Sequence, residues 1–516
     1  MSVSEPNSGF LPQSRPWSVA VIGAGAMGRG IAQVAAQAGM SVRLHDAVAG
    51  RATEAVIAIR AEMEKRAAAG KLSREVCDAA CTSLVSVEEL ADLADRNLIV
   101  EAVVEDLEVK RGLFRALEAV VSADCMLATN TSSLLVTSIA RGCAHPERVG
   151  GVHFFNPVPA MKIAEVIAGA RTGPATVEAL RAFVADIGHT PIGAADTPGF
   201  LINHAGRGLY TEGVRIVAEG IAAPHDVDAV MQEAAGFRMG PFQLFDLTGL
   251  DVSYPVLSHI YREFFEEPRF RPAPLLRRQV EAGLYGRKVG EGFYRYADGR
   301  PVPGAIEEIP AEWTPRPVWI EPDDRAVAPW LSARLSALGV PIHDGACPGA
   351  DAIQLVLPIG EDATSAAIRH GLDLQRVMAI DPLLADARRL TLMPTVATRS
   401  EVRDALVGMV RTGGGKATLI HDSPGFVAQR VLAMIVNIAA DIAQQRIASP
   451  RDIDFAVRGG LGYPTGPLAL GDALGPRTIL TILERMQAFY GDPRYRPSPW
   501  LKRRALAACS LTHPDA

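Results

Sequence analysis

The chain has 516 residues, of which 48% are hydrophobic, 21% charged and 6% aromatic. This composition is typical of a folded protein and excludes disorder as the main state, and the length predicts three to four domains. The 52 basic and 58 acidic residues give a net charge of −6, so the chain lacks the basic excess that marks nucleic-acid-binding proteins.

Targeting and metal signals are weak along the chain. Residues 1–16 are polar and rich in serine and proline, which predicts a disordered tail rather than a signal peptide. The longest apolar stretch, residues 431–443, contains Asn437 and Asp441 and is shorter than the ~20 residues that span a bilayer. The six cysteines form neither a disulfide framework nor a metal-ligand pattern. We therefore expect a cytoplasmic protein without a membrane, nucleic-acid or metal partner.

The first predicted element is a buried parallel strand, Ser18–Ile22, which runs into a glycine-rich turn and a helix. A second strand, Ser41–His45, follows the helix. In such a unit the first glycine permits a tight turn, the second lets a pyrophosphate approach the backbone, and the third lets helix and strand pack closely. The turn consists of Gly23, Ala24, Gly25, Ala26, Met27 and Gly28.

This segment predicts the binding of NAD. The helix N-terminus offers free N–H groups to phosphates. Asp46, 18 positions after Gly28, is placed to accept hydrogen bonds from the adenine ribose and to repel a 2′-phosphate. Arg51 nearby leaves NADP as the alternative cofactor, and a glycine turn in another kind of α/β unit is the alternative to dinucleotide binding.

Two further strands, Leu98–Glu105 and Met126–Asn130, are apolar runs that end in polar residues. Ligands of open parallel sheets bind beyond the carboxyl ends of the strands. We therefore expect Glu105, Asn130, Ser132 and Ser133 to gather there. The alternative for residues 131–133 is a helix cap.

A histidine and a carboxylate follow the cofactor sheet. His153 precedes a turn with two prolines, and Glu165 lies twelve residues later in a predicted strand. Two extended segments joined by such a turn would bring the pair together. Alcohol oxidation requires this chemistry, in which the imidazole takes the hydroxyl proton and the carboxylate orients it. The alternative is a histidine with a structural role only.

Six ordered motifs between residues 17 and 297 resemble the L-3-hydroxyacyl-CoA dehydrogenase family. They are residues 129–133, His153–Pro159 with Glu165, Asp196–Phe200 with Asn203, Arg238–Phe242, Asp246 with Gly249, and Gly286–Phe293. The resemblance implies a Rossmann domain paired with an all-α helical domain and oxidation of a (S)-3-hydroxyacyl-CoA to a 3-oxoacyl-CoA with NAD. Fatty-acid β-oxidation uses this reaction.

The resemblance also implies roles for individual residues. His153 is expected to be the catalytic base and Glu165 its orienting partner, while Ser132 and Asn203 are expected to bind the substrate oxygen. The cofactor contacts expected from the family, besides the glycine turn, are Asp46, Glu105, Lys110, Ser132, Asn156 and Lys288. Lys65, Arg66 and Lys71 are candidates for CoA phosphates, with a solvated helix face as the alternative.

The second half repeats the first. Asp422–Phe426 repeats Asp196–Phe200 at an offset of 226 (422 − 196), and Gly466, Asp472 and Gly475 keep this offset from Gly240, Asp246 and Gly249. Pro493–Pro499 repeats Pro268–Pro274 at an offset of 225 (493 − 268), which is one residue shorter. The sequence therefore predicts an internal duplication.

The second copy lacks the catalytic residues. Gln429 replaces Asn203, the strand near Val318 is not followed by a glycine turn, and residues 286–293 have no counterpart. Gln354–Asp362 resembles Leu98–Asp106, and Thr391–Pro394 stands roughly where the His153 block is expected. The predicted domains are a tail (1–16), an NAD-binding domain (17–195), a helical domain (196–300), a linker with a degenerate Rossmann-like domain (301–421) and a second helical domain (422–516).

The resemblance is strongest to the long bacterial type of phenylacetate catabolism, which acts on 3-hydroxyadipyl-CoA, and 3-hydroxybutyryl-CoA is equally compatible. Arg207, Arg215 and Arg238 are candidates to pair with a distal carboxylate. The remaining alternatives are a hydroxyacid or sugar-acid dehydrogenase without CoA, and a non-catalytic NAD-binding protein. We expect an acyl-CoA partner and one active site per chain. We also expect the two helical domains to form an internal pseudo-dimer, with a homo-oligomer as a further option.

Overall fold

A computed structural model describes residues 16–302, 310, 312–322, 328–343, 345, 347–384 and 388–514. All but the last residue of the tail predicted for residues 1–16 lies outside the described residues, as does part of the predicted linker. The chain divides into two compact units. The first contains the residues up to His204 together with Arg446–Leu461, and the second contains Ala205–Gln445 and Gly462–Ala516.

The first unit is built on an eight-stranded sheet of order β3-β2-β1-β4-β5-β6-β7-β8. Neighbouring strands are parallel except for the antiparallel pair β6–β7. Its strands are β1 (Ser18–Ile22), β2 (Ser41–His45), β3 (Leu84–Val87), β4 (Leu98–Glu101), β5 (Met126–Thr129), β6 (Val149–Phe154), β7 (Ile163–Ala168) and β8 (Thr190–Ala195).

Helices connect these strands and cover the sheet. They are α1 (Ala26–Gln37), α2 (Arg51–Ala68), α3 (Arg74–Ser83), α4 (Leu107–Glu118), α5 (Val136–Ala140) and α6 (Pro174–Asp186), followed by the short α7 (Ile202–Ala205). The central strands β1, β4 and β5 are apolar and buried, as parallel strands covered on both faces require. The expected strands at 18–22 and 41–45 are confirmed. The strand predicted for 98–105 ends at Glu101, because the Glu101 carboxylate accepts the Val103 N–H (2.7 Å) and turns the chain out of the sheet.

The second unit contains most of the remaining helices. They are α8 (Arg207–Ala218), α9 (Pro224–Glu233), α10 (Pro241–Thr248), α11 (Leu250–Glu263), α12 (Pro274–Glu281), α13 (Ala328–Ala337), α14 (Ala363–Arg369), α15 (Ser400–Thr412) and α16 (Ala428–Gln444). After α17 (Pro450–Leu461), which belongs to the first unit, come α18 (Pro467–Leu474), α19 (Pro476–Tyr490) and α20 (Pro499–Ala507).

A second, five-stranded sheet lies in this unit, in the order β11-β12-β13-β14-β15. A two-stranded hairpin precedes it. The strands are β9 (Tyr296–Ala297), β10 (Arg300–Pro301), β11 (Val318–Ile320), β12 (Ile353–Val356), β13 (Val377–Ile380), β14 (Arg389–Pro394) and β15 (Lys416–Leu419). As in the first sheet, one antiparallel pair, β13–β14, is followed by a parallel one, β14–β15.

Two sequence comparisons for the second half are wrong, because strand pairing fixes a different alignment. The Asp381 N–H pairs with the Thr391 carbonyl (3.1 Å), so Thr391 lies opposite Asp381 as Glu165 lies opposite His153. Thr391 therefore takes the place of the glutamate, and Asp381 that of the histidine. Strand β12 stands next to the antiparallel pair as β5 does, so Gln354–Asp362 does not occupy the position of Leu98–Asp106.

One helix from the C-terminal part of the chain is integral to the first unit. Helix α17 (Pro450–Leu461) packs on β7 and β8, and the Ala195 N–H donates to the Ile447 carbonyl (2.8 Å). In the second unit α9 packs on β14, and the His421 N–H donates to the Ile221 carbonyl (2.9 Å). The two donors, Ala195 and His421, stand 226 positions apart (421 − 195), and so do the two acceptors, Ile221 and Ile447 (447 − 221).

Candidate active site

The turn between β1 and α1 has no room for side chains at two of its glycines. Gly23 has φ of +107°, and a Cβ there would lie 2.4 Å from the Ala102 carbonyl oxygen. A Cβ on Gly28 would lie 1.7 Å from the Gly23 carbonyl oxygen. At Gly25, by contrast, a Cβ would meet no atom within 4 Å. The space beside Gly25 at the start of α1 therefore fits the pyrophosphate of a dinucleotide, and Ala26 and Met27 form the first turn of that helix.

Asp46 stands at the end of β2 beside this turn. Its carboxylate accepts the Ala24 N–H (2.7 Å) and the Val48 N–H (3.0 Å). Both Asp46 and Gly25 line a cavity of about 450 Å³ that extends to Arg51 and to Val104 beyond β4. A cavity of this size at the carboxyl ends of parallel strands suits the adenosine half of a dinucleotide, with Asp46 at the ribose.

Glu105 collects the polar groups that follow β5. Its Oε1 accepts the Thr131 hydroxyl (2.6 Å), the Ser132 N–H (2.9 Å) and the Ser133 N–H (3.0 Å). Burial alone would raise the pKa of Glu105, but the Lys110 ammonium and these hydrogen bonds outweigh burial and lower the pKa to about 2. Glu105 is therefore a carboxylate that fixes the loop carrying Ser132.

Lys110 lies behind this carboxylate rather than in the open cleft. The side chain is 1% exposed, and its ammonium contacts Glu101 (2.5 Å) and Glu105 (3.3 Å). Glu101 also accepts the Thr129 hydroxyl (2.7 Å). The structure thus places Lys110 where it holds the Glu105 loop.

The pairing of β6 with β7 sets His153 directly against Glu165. The His153 Nδ1–H donates to Glu165 Oε2 at 2.6 Å, and both side chains are buried. The second oxygen, Oε1, accepts the N–H groups of Leu201 (2.9 Å) and Ile202 (2.8 Å). With Nδ1 bound to the carboxylate, Nε2 is the nitrogen left to exchange a proton.

Two aromatic rings and one amide frame the histidine. The rings of Phe155 and Phe200 lie 4.5 and 5.8 Å from the imidazole, centroid to centroid. Phe200 has φ of +46°, a left-handed conformation that follows Gly199 and turns the next two N–H groups toward Glu165. Asn130 accepts the Phe154 N–H (2.8 Å), which anchors the end of β6 to the loop after β5.

The other residues expected at the site are distributed over both units. Ser132 follows β5, Asn203 lies in α7 next to the N–H donors of Glu165, and exposed Asn156 follows β6. Lys288 lies in the second unit, where it pairs with Asp251. Lys65 is exposed and Arg66 partly buried in the last turn of α2. A cavity of about 220 Å³ is lined by Glu62 of α2 and by Asn156.

Sequence reasoning missed the backbone donors to Glu165 and the Glu101–Lys110 pair. Leu201 and Ile202 contribute N–H groups, which no side-chain pattern can reveal. The motif at residues 196–200 did point to this turn, because Gly199 and Phe200 both adopt positive φ. A glutamate at the end of an apolar strand, nine residues before a lysine, was the available signal for Glu101 and Lys110.

Family profiles cover most of the chain. The NAD-binding domain of 3-hydroxyacyl-CoA dehydrogenase matches residues 18–197, and the C-terminal domain of the same enzyme matches residues 199–296 and again 425–510. The chain belongs to the 3-hydroxyacyl-CoA dehydrogenase family. This membership confirms the resemblance and the NAD-binding domain expected from the sequence.

The relatives include both proteins that match nearly the whole chain and shorter ones that match only its first half. The chain is 38% identical over 489 residues to the 3-hydroxyadipyl-CoA dehydrogenase of Escherichia coli K12, covering 95% of this chain and 97% of the relative. A crystal structure described as 3-hydroxybutyryl-CoA dehydrogenase from Escherichia coli K12 has a TM-score of 0.83 at 36% identity, covering 96% and 99% of the two chains. The 3-hydroxybutyryl-CoA dehydrogenase of Bradyrhizobium diazoefficiens is 39% identical over 285 residues, 97% of its own length and 55% of this chain.

Membrane and metal features are sparse in the part of the chain that the structure describes. None of the described helices combines the length and apolar character that a bilayer crossing needs. The side chains of Glu64, Cys77 and Cys81 offer ligand atoms within 4.8 Å of one another, but Glu64 is already paired with Arg74 (2.6 Å). The absence of a metal cofactor stays a prediction.

Proposed function

We propose that the chain oxidises a (S)-3-hydroxyacyl-CoA to a 3-oxoacyl-CoA with NAD, reversibly, at one site in its N-terminal half. The observation that carries the proposal is the buried His153–Glu165 pair (2.6 Å), held by two backbone N–H groups in the unit that carries the glycine turn. Family membership supports both the reaction and the cofactor.

His153 acts as the base of this reaction. Its Nε2 takes the proton of the 3-hydroxyl group, and the Glu165 carboxylate at Nδ1 holds the tautomer and stabilises the imidazolium that forms. Bound NAD supplies the acceptor for the hydride that leaves C3. In the reverse direction the imidazolium returns the proton to the oxygen. Ser132 and Asn203 hydrogen-bond that oxygen and hold the substrate in place.

The residues beside the glycine turn would hold NAD. The pyrophosphate would lie against Gly25 and the α1 N-terminus, and the adenosine would occupy the cavity that Asp46 lines. Glu105 and Asn156 would contact the cofactor from the carboxyl ends of the strands. Lys110 would contribute by holding Glu105 in place, because its ammonium is buried on Glu101 and Glu105. We propose Lys288 as a cofactor residue, as the family pattern implies, and Lys65 and Arg66 of α2 as CoA contacts.

We propose 3-hydroxyadipyl-CoA as the substrate, with 3-hydroxybutyryl-CoA as the second candidate. The long relative named for the adipyl substrate matches nearly the whole chain. Among the arginines expected to meet a distal carboxylate, Arg215 contacts Glu219 (2.8 Å) and Asp492 (3.1 Å) within the chain. Arg207 is buried beside Tyr210, and Arg238 is exposed. Arg238, which is exposed, is therefore the better candidate.

NADH absorbance tests the proposal directly. We expect NADH oxidation with acetoacetyl-CoA and no turnover with free acetoacetate or sugar acids. Turnover without CoA would favour a hydroxyacid or sugar-acid dehydrogenase, and NADH binding without any turnover would favour a non-catalytic protein. A side-by-side kcat/KM for 3-hydroxyadipyl-CoA and 3-hydroxybutyryl-CoA then identifies the substrate.

We further propose that the chain is an internal duplication whose second Rossmann-like domain is degenerate, with the domain boundaries expected from the sequence. The double match of the C-terminal domain profile and the shared order of parallel and antiparallel strands support this. Helices α8 and α16 pack so closely that a Cβ on Gly208 would lie 2.7 Å from Ile435 Cα. This contact supports an internal pseudo-dimer of the two helical domains.

We propose a cytoplasmic location and one active site per chain. All six cysteines are free, as a reducing compartment favours. Because the pseudo-dimer would cover the helical faces that pair, a homo-oligomer would have to use another surface.

A further inference from the structure

A polar cavity of about 400 Å³ lies in the second unit, between the segment after β12 and helix α19. Its wall contains three arginines, Arg369, Arg477 and Arg485, and the hydroxyl-bearing Thr478 and Thr481. A cavity of this size can hold a small organic anion. None of these residues takes part in the proposed dehydrogenase site.

The cavity lies at the counterpart of the catalytic loop. In the first unit the N–H groups of Val136 and Thr137 at the start of α5 donate to Asp196 (2.8 Å each). In the second unit the Ala363 N–H and the Thr364 hydroxyl at the start of α14 bond to Asp422, which stands 226 positions after Asp196.

This equivalence aligns the loop before α14 with the loop before α5. The segment Leu357–Glu361 therefore corresponds to the loop that carries Ser132, and Ile359 of this segment lines the cavity.

Behind this loop, the position that corresponds to the His153 site of the first half is filled by the Gln429 side chain. The Gln429 amide, in the place of Asn203, donates to the Pro358 carbonyl (3.1 Å) and to Asp381 (2.8 Å), and its oxygen accepts the Gly360 N–H (2.7 Å). Gln429 is fully buried. The side-chain amide thus makes three internal hydrogen bonds at this position, and Asp381 replaces the histidine. The cavity therefore lacks the acid–base pair of the first half and can bind but not oxidise.

The charged groups at the wall of the cavity have a net positive charge. Arg369 contacts Glu361 (2.9 Å), and Arg485 donates to the Ile359 carbonyl (2.7 Å) and lies 3.8 Å from Glu361. His370 lies between a guanidinium group and a carboxylate. Its Nε2 is 2.7 Å from Arg369 Nη1, and its Nδ1 is 3.3 Å from Glu321.

The three guanidinium groups of the wall are therefore accompanied by only two carboxylates, those of Glu321 and Glu361. Guanidinium groups bind phosphate oxygens in a bidentate manner, and threonine hydroxyls add donors.

We propose that this cavity is a non-catalytic binding site for a compact, multiply charged phosphate compound of the pyrophosphate or phosphate-ester class. The polar wall favours such an anion over an acyl chain. Occupancy would bridge α14 and α19, since Arg369 belongs to the first helix and Arg477 and Arg485 to the second.

Calorimetric titration of the NAD-saturated full chain with inorganic pyrophosphate tests the proposal. NAD saturation occupies the glycine turn of the first half, which also attracts phosphates. We expect the double variant Arg477→Gln/Arg485→Gln to bind pyrophosphate at least about tenfold more weakly than the unaltered chain, because each arginine contributes charge-assisted hydrogen bonds. The matched control Arg277→Gln/Arg503→Gln removes the same charge from exposed positions on α12 and α20 and should bind normally.

Equal affinity of the double variant and the unaltered chain, or no binding at millimolar pyrophosphate, would overturn the proposal. Arg477→Lys/Arg485→Lys keeps the charge and guards against a folding defect, and it should lose affinity because it lacks the bidentate fork. A second titration with ADP separates the sources of the anion. Tighter binding of ADP indicates a nucleotide, and equal binding indicates the diphosphate alone. Dehydrogenase activity is not the readout, so failure here leaves the proposed reaction untouched.

Discussion

Individual residues at the proposed site are held by bonds to the backbone as much as by each other. The Glu165 carboxylate accepts one imidazole N–H and two main-chain N–H groups, and Glu105 accepts two main-chain N–H groups. Such fixed acceptors need no rearrangement when charge develops nearby. Single substitutions should therefore affect turnover, cofactor binding or the order of the Glu105 loop separately.

Replacing the proposed base should remove turnover and spare cofactor binding. For His153→Ala we expect kcat to fall by about 10²–10⁴-fold, the usual contribution of a general base, with NADH affinity unchanged. Stopped-flow turnover and NADH fluorescence measure the two quantities. His145→Ala is the matched control, because His145 also pairs with a glutamate (Glu147, 3.1 Å) but is exposed, and it should keep full activity. A normal kcat in His153→Ala would contradict the mechanism.

Two substitutions in the glycine turn should distinguish an effect on cofactor binding from an effect on stability. Gly25→Ala should leave the melting temperature of the cofactor-free protein unchanged, since the added Cβ meets no protein atom within 4 Å, but should weaken NADH binding at least tenfold. Gly28→Ala places a Cβ 1.7 Å from a backbone oxygen and should lower the melting temperature strongly. NADH fluorescence and thermal unfolding test both, and unchanged NADH affinity in Gly25→Ala would argue against a pyrophosphate at this turn.

Glu105 should make the stability of the first unit depend on pH. Its pKa is about 2 in the fold against an ordinary 4.5, so its contribution is complete above about pH 4.5 and is lost as the pH falls toward 2. The difference in unfolding free energy between the unaltered chain and Glu105→Gln should therefore narrow over that window. Urea unfolding at several pH values measures it. Glu108→Gln, at an exposed pair with Arg111, should show no such narrowing.

At the scale of elements, local patterns predicted local structure well. Strands β1 and β2 have the predicted bounds because a short apolar run and its flanking turns lie within a few residues. The order of β12 to β15 could not be predicted in this way, because it depends on which strands pair across gaps of tens of residues. The Asp381–Thr391 pairing therefore corrected the alignment of the two halves.

The packing of α8 on α16 carries a buried ion pair. Arg430 and Glu212 are both fully buried and lie 2.7 Å apart. Burial would raise the pKa of Glu212, but Arg430 and Arg494 outweigh it and lower the pKa. Both groups are therefore charged inside the second unit, and each depends on the other.

Removing one partner should be more harmful than removing both. We expect Glu212→Ala to lower the free energy of unfolding by about 3–5 kcal/mol, because it leaves a buried guanidinium without its main counter-charge. The double variant Glu212→Leu/Arg430→Met should recover part of that loss. Chemical denaturation measures both, and a loss in the double variant at least as large as that in Glu212→Ala would contradict the coupling of the pair.

For the whole molecule, the two halves of the sequence do not coincide with the two compact units. Helix α17, from the second half, packs on β7 and β8 of the first unit, and Cβ atoms on Gly459 and Gly460 would lie 3.3 Å and 2.7 Å from Ile163 and Ile202. These two isoleucines stand two residues before Glu165 and one residue before Asn203. The repeat in the sequence predicts a duplication. It could not predict that α9 packs on the second sheet and α17 on the first, because neither helix carries a signal of which sheet it covers.

A chain that ends at residue 300 tests whether the first unit needs α17. It would lack α17 and expose apolar surface on β7 and β8, so we expect a lower melting temperature, weaker activity or association into dimers in which α9 of a second copy takes the place of α17. Size-exclusion chromatography with the NADH assay measures these outcomes. A stable, fully active monomer would show that α17 is dispensable.

The contact between α17 and the first sheet also bears on the timing of synthesis. The end of α17 lies 259 positions after Ile202 (461 − 202), which at typical elongation rates corresponds to on the order of tens of seconds of synthesis. During that time the nascent catalytic half carries an uncovered edge beside its proposed base. A ribosome must therefore synthesise the chain through Leu461 before the proposed site acquires the support of α17, which makes this protein a candidate client for chaperones that protect half-made chains.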